Sequence, residues 1–367
     1  MPLENSLINI IALTLIPGIG DVNAKKLIAY TGGVDSIFKE REATLLKIPG
    51  IGPVLAKSIT NNRLFKRAEE ELEFIQKHKI QTLFYLDENY PRRLKNIEDS
   101  PILMYYKGNT DLNCSKIVGI VGTRKNTEYG KEMTEQIVNH YKGTDTLILS
   151  GMAYGIDVAA HKAALINQIP TVGVLAHGLD RIYPSSHRSV AEKMISNGGL
   201  LCDFMSGTIP DRENFPKRNR IVAGLSDALI VVEAAITGGA LITAEIANSY
   251  NKDVFAVPGR VRDEFSEGCN RLIFANKASL ITSGADVDYF MGWEESAVNK
   301  NTQTQLFINL NDEEQKIVSL LKEINESTID VISIKAGMPM SKTASTLITL
   351  ELNGVVKGLP GKRYKLN

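Results

Sequence analysis

From residue 116 onward the chain repeats one pattern: a short β-branched run that ends in glycine or a small polar residue, then a helix-like segment. The runs are KIVGIVG, DTLILSG, TVGVLA, GLLCDF, ALIVVEA, KDVFAVPG and ASLITSG. A helix between two strands carries the chain back across the sheet, so neighbouring strands pair parallel. The pattern therefore predicts an α/β fold built on a doubly wound, mostly parallel sheet. At 367 residues the chain is too long for one ordinary core, and two or three domains are expected.

Residues 1 to about 80 read as all-helical, with apolar positions at helical spacing interrupted by two PGIG turns and by Thr31-Gly32-Gly33. The two copies of IPGIG, Ile16 to Gly20 and Ile48 to Gly52, each precede an apolar helix with an Ala-Lys pair, Ala24-Lys25 and Ala56-Lys57. This is the pattern of a helix-hairpin-helix (SAM-like) pair, in which glycines permit the tight turn and free N–H groups meet a phosphate oxygen. Lys25, Lys26 and Lys57 fit a nonspecific phosphate contact, while packing between the two units explains the apolar residues equally well. After the polar stretch EESAVNKNTQTQ, the remaining chain reads as three helices and a small hairpin, the order of a winged-helix module. The expected boundaries are 1–80, 81–293, a linker at 294–306, and 307–367.

Composition narrows the function. Lys+Arg and Asp+Glu balance at 42 each, so the whole-molecule field attracts no polyanion and a basic site must be local. Cys114, Cys202 and Cys269 are scattered without a CxxC pair, which predicts neither a disulfide framework nor a zinc site. The N-terminus lacks the basic region and cleavage site of a signal peptide, and no apolar run approaches a membrane span. A cytoplasmic chain with no membrane contact, no metal and no cofactor is expected.

In a doubly wound sheet, ligands gather at the carboxyl ends of the strands, where helix N-termini present unpaired N–H groups. VGTRKNTEYG sets Gly122 and Thr123 at such a turn with Arg124 over it; SGMAYGID places Ser150, Gly151 and Gly155 before a helix carrying Asp157. TGGALITAE adds Gly238, Gly239 and Thr243. Three such turns would cradle a row of phosphates, but none carries a Walker lysine and VGTRKN is not GxGxxG, so a nucleotide cofactor has weak support. The segment NFPKRNRIVAGLS, expected as a loop, brings Phe215, Lys217, Arg218, Asn219 and Arg220 together. Cations to neutralise phosphates beside an aromatic face to stack on a base are what single-stranded nucleic acid requires.

From about residue 83 to 283 the ordered motifs NYPRRL with SPILMYYKG, VGTRKNTEYG, SGMAYGIDVAAHKAAL, GLDRIYPSSH, FPKRNRIVAGLSDALIVVEA, TGGALITAE and FAVPG with GCNRLI make the chain resemble the DNA-processing protein A family, also called Smf. The resemblance implies an extended Rossmann domain that binds single-stranded DNA without hydrolysing nucleotide. It implies a mediator that coats single strands and helps load the RecA recombinase, as in natural transformation. Turns and resemblance together give the expected DNA-binding set Gly122, Thr123, Arg124, Ser150, Gly151, Gly155, Phe215, Lys217, Arg218, Asn219, Arg220, Gly238 and Gly239. The resemblance also implies a homodimer, with Leu272, Ile273 and Leu280 as the expected contact.

Two rival readings come from other classes. TGGALITAE loosely resembles the PGGxGTxxE-type motif of nucleotide phosphoribohydrolases, with Glu245 in the acidic place, but the proline and the second glycine are missing and FPKRNR is extra. Asp157 and His161 are four residues apart without a nucleophile motif, so a helix cap and a structural hydrogen bond are expected of them rather than catalysis. A regulator reading duplex DNA would use Lys342 on the recognition helix and Lys357, Lys362, Arg363 and Lys365 around the wing. That helix is mostly Ser, Thr and Leu and offers nothing suited to base edges. The IPGIG domain is expected to be accessory, so that deleting residues 1 to 80 leaves most single-strand affinity intact.

Overall fold

All seven β-branched runs become strands, and all seven lie parallel in one sheet. They are β3 (Lys116–Val121), β4 (Thr146–Ser150), β5 (Thr171–Val174), β6 (Gly198–Cys202), β7 (Ala228–Val231), β8 (Asp253–Ala256) and β9 (Ser279–Leu280). A computed structural model of the chain describes residues 2–60, 64–293, 310–359 and 361–366. Two further strands complete the order β1-β2-β6-β5-β4-β3-β7-β8-β9: β2 (Leu103–Gly108) pairs antiparallel with β6, and β1 (Gln81–Phe84) antiparallel with β2. The chain lays β4 to β6 on one side of β3 and β7 to β9 on the other, so the topological switch point lies between β3 and β7.

Helices cover both faces. Ile137, Val138, Ile156 and Ala160 pack on one face with Val118 and Ile148. Ile221, Val222, Leu225 and Ala244 pack on the other with Ile117 and Leu229. One of these helices corrects an expectation: FPKRNR is not a loop but the start of the helix Asn214–Leu225. Pro216 sits in the first turn, where its missing N–H has no intrahelical partner to lose. Helical geometry then sends the basic run to different faces, since only residues three or four apart share one.

The helices Asp21–Thr31 and Pro53–Thr60 follow the two IPGIG turns. Gly18 (φ +81) and Gly50 (φ +89) hold the left-handed backbone that each turn needs. Gly18 faces Leu55 and Gly50 faces Asn23, so the two hairpins pack against each other. This domain does not keep its core to itself: Ile11, Leu13, Leu27 and Ile28 belong to one buried cluster with Ile102, Tyr105, Leu175 and Cys202 of the sheet region.

Residues 310–359 and 361–366 form a separate unit. It contains the helices Asp312–Ile324, Ile329–Ala336 and Met340–Leu352 with β10 (Glu326–Thr328), β11 (Val356–Leu359) and β12 (Arg363–Leu366), in the order β10-β12-β11. The expected three helices and hairpin are present, and β10 is an additional strand. The expected linker at 294–306 lies outside the described residues.

Candidate nucleic-acid interface

At the carboxyl ends of β3, β4 and β5, two strand-to-helix turns touch. Thr123 donates its N–H to the Glu233 carbonyl at 2.7 Å, and the Thr123 carbonyl accepts from Ile156 N at 3.2 Å. Gly155 (φ +79) sits so close that a Cβ there would lie 2.1 Å from the Thr123 oxygen. Gly122 likewise leaves room for the Ile156 side chain, 2.4 Å from where its Cβ would stand. These glycines serve turn against turn, and the contact holds Arg124 out over the pocket. The Arg124 guanidinium carbon lies 4.9 Å from the centre of the Phe215 ring, within cation–π range.

Beneath that stack is Arg218, three residues after Phe215 and so on the same helical face. It is 5% exposed and donates Nη1–H to the Val174 carbonyl and Nε–H to Asn219 Oδ1 at 3.1 Å. A Cβ at Gly151 would stand 2.1 Å from Arg218 Nη1 and 2.5 Å from Asp157 Oδ2, so glycine there makes the space both charges occupy. Burial pushes the Asp157 carboxyl up, against the pull of the neighbouring Arg218 guanidinium; burial lowers Arg218 while Asp157 opposes that shift. The floor is set by His161, whose Nε2–H donates to the Gly151 carbonyl at 2.6 Å while Nδ1 lies 2.7 Å from Thr171 Oγ1. Burial pushes this imidazole down to about 4, so it is neutral, a structural latch rather than an acid.

Two rim residues had been missed. Tyr154 and Tyr183 are each about half exposed, with Tyr183 centred 6.5 Å from Phe215 and Tyr154 edge-on to His187 at 5.0 Å. Tyr154 stands directly before Gly155 in a strand-end turn, and a large aromatic at that position is the signal that would have found it. The space lined by Arg124, Tyr154, Tyr183, Phe215 and Arg218 is about 30 Å³, one water's share of volume. Aromatic faces and cations meet here on a rim, and no compartment encloses a nucleobase.

Several expected residues stand elsewhere. Ser150 is fully buried and its hydroxyl donates to the Ile120 carbonyl at 2.5 Å, so it is not free for phosphate. Lys217 is exposed on the same helix. Arg220 turns away from the pocket: its guanidinium donates to Asp21 at 2.8 Å, to Asp203 at 2.9 Å and to the Asp99 carbonyl. Gly239 begins the helix Gly239–Ser249 beyond β7 with Gly238 as its N-cap, and Gly238 lines a different cleft with Glu245, Leu241 and Lys277. Strand order explains the separation, because β7 and β4 lie on opposite sides of β3. In that cleft Glu245 is ion-paired to Lys277 at 2.6 Å.

The three residues of the expected dimer contact differ in exposure. Leu272 is 4% exposed and belongs to the sheet's core, and Ile273 is half-buried against it. Leu280, on the edge strand β9, is 47% exposed, and the neighbouring Phe274 is 89% exposed. In the helical domain Lys25 reaches not outward but to the carbonyls of Ile97 and Glu98 and to Ser100 Oγ at 2.7 Å, while Asp21 Oδ1 accepts from Ile102 N at 2.8 Å. The helix after the first IPGIG turn therefore grips the sheet domain, whereas Lys26 and Lys57 stay exposed. In the separate C-terminal unit Lys342 is paired with Glu313, and the same helix exposes Met340, Ile348 and Leu352. Among the described residues no group of three or more His, Cys, Asp or Glu could hold a metal, and no helix is long and apolar enough to cross a membrane.

Comparison with known proteins agrees with this layout. The family model described as DNA recombination-mediator protein A matches residues 81–292; that of the DprA winged helix domain matches 303–362, and that of a SAM-like helix-hairpin-helix tandem 10–62. The chain is 32% identical to Protein Smf of Synechocystis sp., covering 97% of each. The X-ray structure of DNA processing protein A from Streptococcus pneumoniae matches with a TM-score of 0.68 at 33% identity, over 76% of this chain and 96% of that one. DNA processing protein A from Helicobacter pylori, whose structure concerns its single-stranded DNA binding mode, matches with a TM-score of 0.53 at 30% identity, over 59% of this chain and 95% of that one.

Proposed function

This chain belongs to the DNA recombination-mediator protein A family, and from that premise we propose that it is a cytoplasmic single-stranded DNA-binding protein of DNA processing and recombination that helps load the RecA recombinase, as in natural transformation. The observation that carries the reading is the buried Arg218 guanidinium under the Arg124–Phe215 stack. A strand crossing this rim has its phosphates neutralised by the exposed Arg124 and Lys217, with the buried Arg218 charge beneath them, and its bases stacked on Phe215. Binding of this kind ignores base identity and weakens steeply with salt. The single-strand binding of the Helicobacter pylori relative supports the same chemistry.

Binding without turnover is part of the proposal. A space of about 30 Å³ is an order of magnitude below an ordinary small-molecule site, and Glu245, the acid of the phosphoribohydrolase reading, is held by Lys277 away from the basic pocket. Self-association belongs to it too, through the exposed Leu280 on the edge strand β9 and the exposed Phe274 at the end of the helix Glu267–Phe274. The deciding measurement is binding of the purified protein to single-stranded and duplex DNA, with and without added nucleotide. Tight, salt-sensitive, nucleotide-independent single-strand binding is expected; equal affinity for both forms, or release of base from a nucleoside monophosphate, refutes it. For the recombinase, the readout is faster filament formation on coated strands, and no acceleration removes loading from the proposal.

A further inference from the structure

We propose that the Glu233 carboxylate is the resident anion of the switch-point crevice and keeps free phosphate and mononucleotides out of it. In a doubly wound sheet this crevice is where a ligand phosphate ordinarily meets a helix N-terminus. Here the helix Glu128–His140 starts on the β3 side, capped by Thr127, and Glu233 follows β7 on the other. Glu233 is 2% exposed. One of its oxygens accepts from Thr127 N at 2.9 Å and the other from Thr127 Oγ1 at 2.5 Å, while that hydroxyl accepts from Gly130 N at 3.1 Å.

Those are the donors that a phosphate oxygen would take at such a helix start, and a side chain of the protein has taken them. The fit is built into the chain, since a Cβ at Gly130 would stand 2.1 Å from Glu233 Oε2. Protein bulk does not close the crevice. A cleft lined by Thr127, Tyr129, Pro258, Arg260 and Ser266 opens onto Glu233, which forms part of its wall. A negative charge buried at a positive helix end is favourable, and the same charge repels an incoming anion. Arg260 and Arg262 also stand in the wall of that cleft, so the exclusion is local to the helix start that Glu233 occupies; the exposed Arg124 of the basic rim lies one strand away from the switch point. This inference concerns exclusion at the crevice and stands whether or not the rim binds DNA.

The test compares thermal unfolding of the wild-type chain, Glu233→Gln and Glu233→Ala in inorganic phosphate and in chloride at equal ionic strength, with a nucleoside monophosphate as a further arm. Glu233→Gln keeps the bulk, whereas Glu233→Ala empties the space and frees the donors. Glu233→Ala should unfold about 3 °C or more higher in phosphate or nucleotide than in chloride, the wild type and Glu233→Gln responding by less than about 1 °C. The rise should persist when Arg124→Ala is added, which separates the crevice from the rim. The proposal is overturned if Glu233→Ala gains nothing from phosphate or nucleotide, including by staying unfolded in both, if the wild type responds equally, or if Arg124→Ala abolishes the rise.

Discussion

Arg218 and Arg220 lie two residues apart on one helix and do opposite work. Arg218 turns into the pocket, where it is held under an aromatic stack beside Asp157. Arg220 turns to the helical domain and is consumed by Asp21 and Asp203. The difference teaches that a basic run on a helix is not one basic surface. About 100° of rotation per residue sends one cation toward ligand and the next but one into a brace.

The strongest way to break this comparison is to remove the brace. Arg220→Ala leaves Asp203 buried without its partner, and about 3 kcal/mol of stability should be lost, read as a lower urea midpoint. Single-strand affinity of the folded variant should stay within about threefold, under 1 kcal/mol; a loss as large as that of Arg124→Ala would place Arg220 among the DNA ligands after all.

On the pocket side the corresponding weakness is acid. His161 is neutral when folded, with its pKa at about 4. Once the pH falls below the ordinary histidine value near 6.5, the unfolded chain takes up a proton that the folded chain refuses. Its contribution is therefore present above about pH 6.5 and lost as pH falls toward 4; from 6.5 to 5 the loss is about 1.6 kcal/mol. Urea unfolding at the two pH values checks this, and the slope should be shallower in His161→Gln, the part that remains coming in the same direction from His177, which burial also lowers.

The rim cations should show the reverse profile. Arg124→Ala with Lys217→Ala should leave stability within about 0.5 kcal/mol but make the log affinity against log salt shallower by about 1.4, near 0.7 for each lost phosphate contact. An unchanged gel-shift affinity would refute the site. The smallest effect is expected at the end of the helix Glu267–Phe274, where Phe274→Asp, fully outside the core, should shift the self-association equilibrium toward monomer by light scattering while unfolding at an unchanged temperature.

Seven parallel strands were legible because each β-branched run stops at a glycine turn that a crossover helix must follow. The antiparallel pair was not: QTLF is too short to show a period, and LMYYKG is buried from Leu103 to Tyr106, so it shows no alternation. The pocket was half legible. Arg124, Phe215 and Arg218 meet as expected, since a strand-end turn and a helix start converge there. Ser150, Arg220 and Leu272 turn into the protein, and type and position in a motif do not report which way a side chain turns. Reading FPKRNR as a loop hid the rotation that separates its cations. Gly238 and Gly239 stand in another cleft for a topological reason, since the turn after β7 lies across β3 from the turn after β4.

The IPGIG repeat ends up gripping the protein itself. Asp21 finds its partner in Arg220, 199 residues later, and the helical domain shares its core with strands made after it. On a ribosome adding roughly 5–20 residues per second, that partner appears about 10–40 s after Asp21. Through that interval the newborn N-terminal domain holds an unfinished apolar face and a lone acid. Its completion waits on the segment that carries Arg218 and Arg220, so a nascent chain cut short before that point leaves the first domain without its brace.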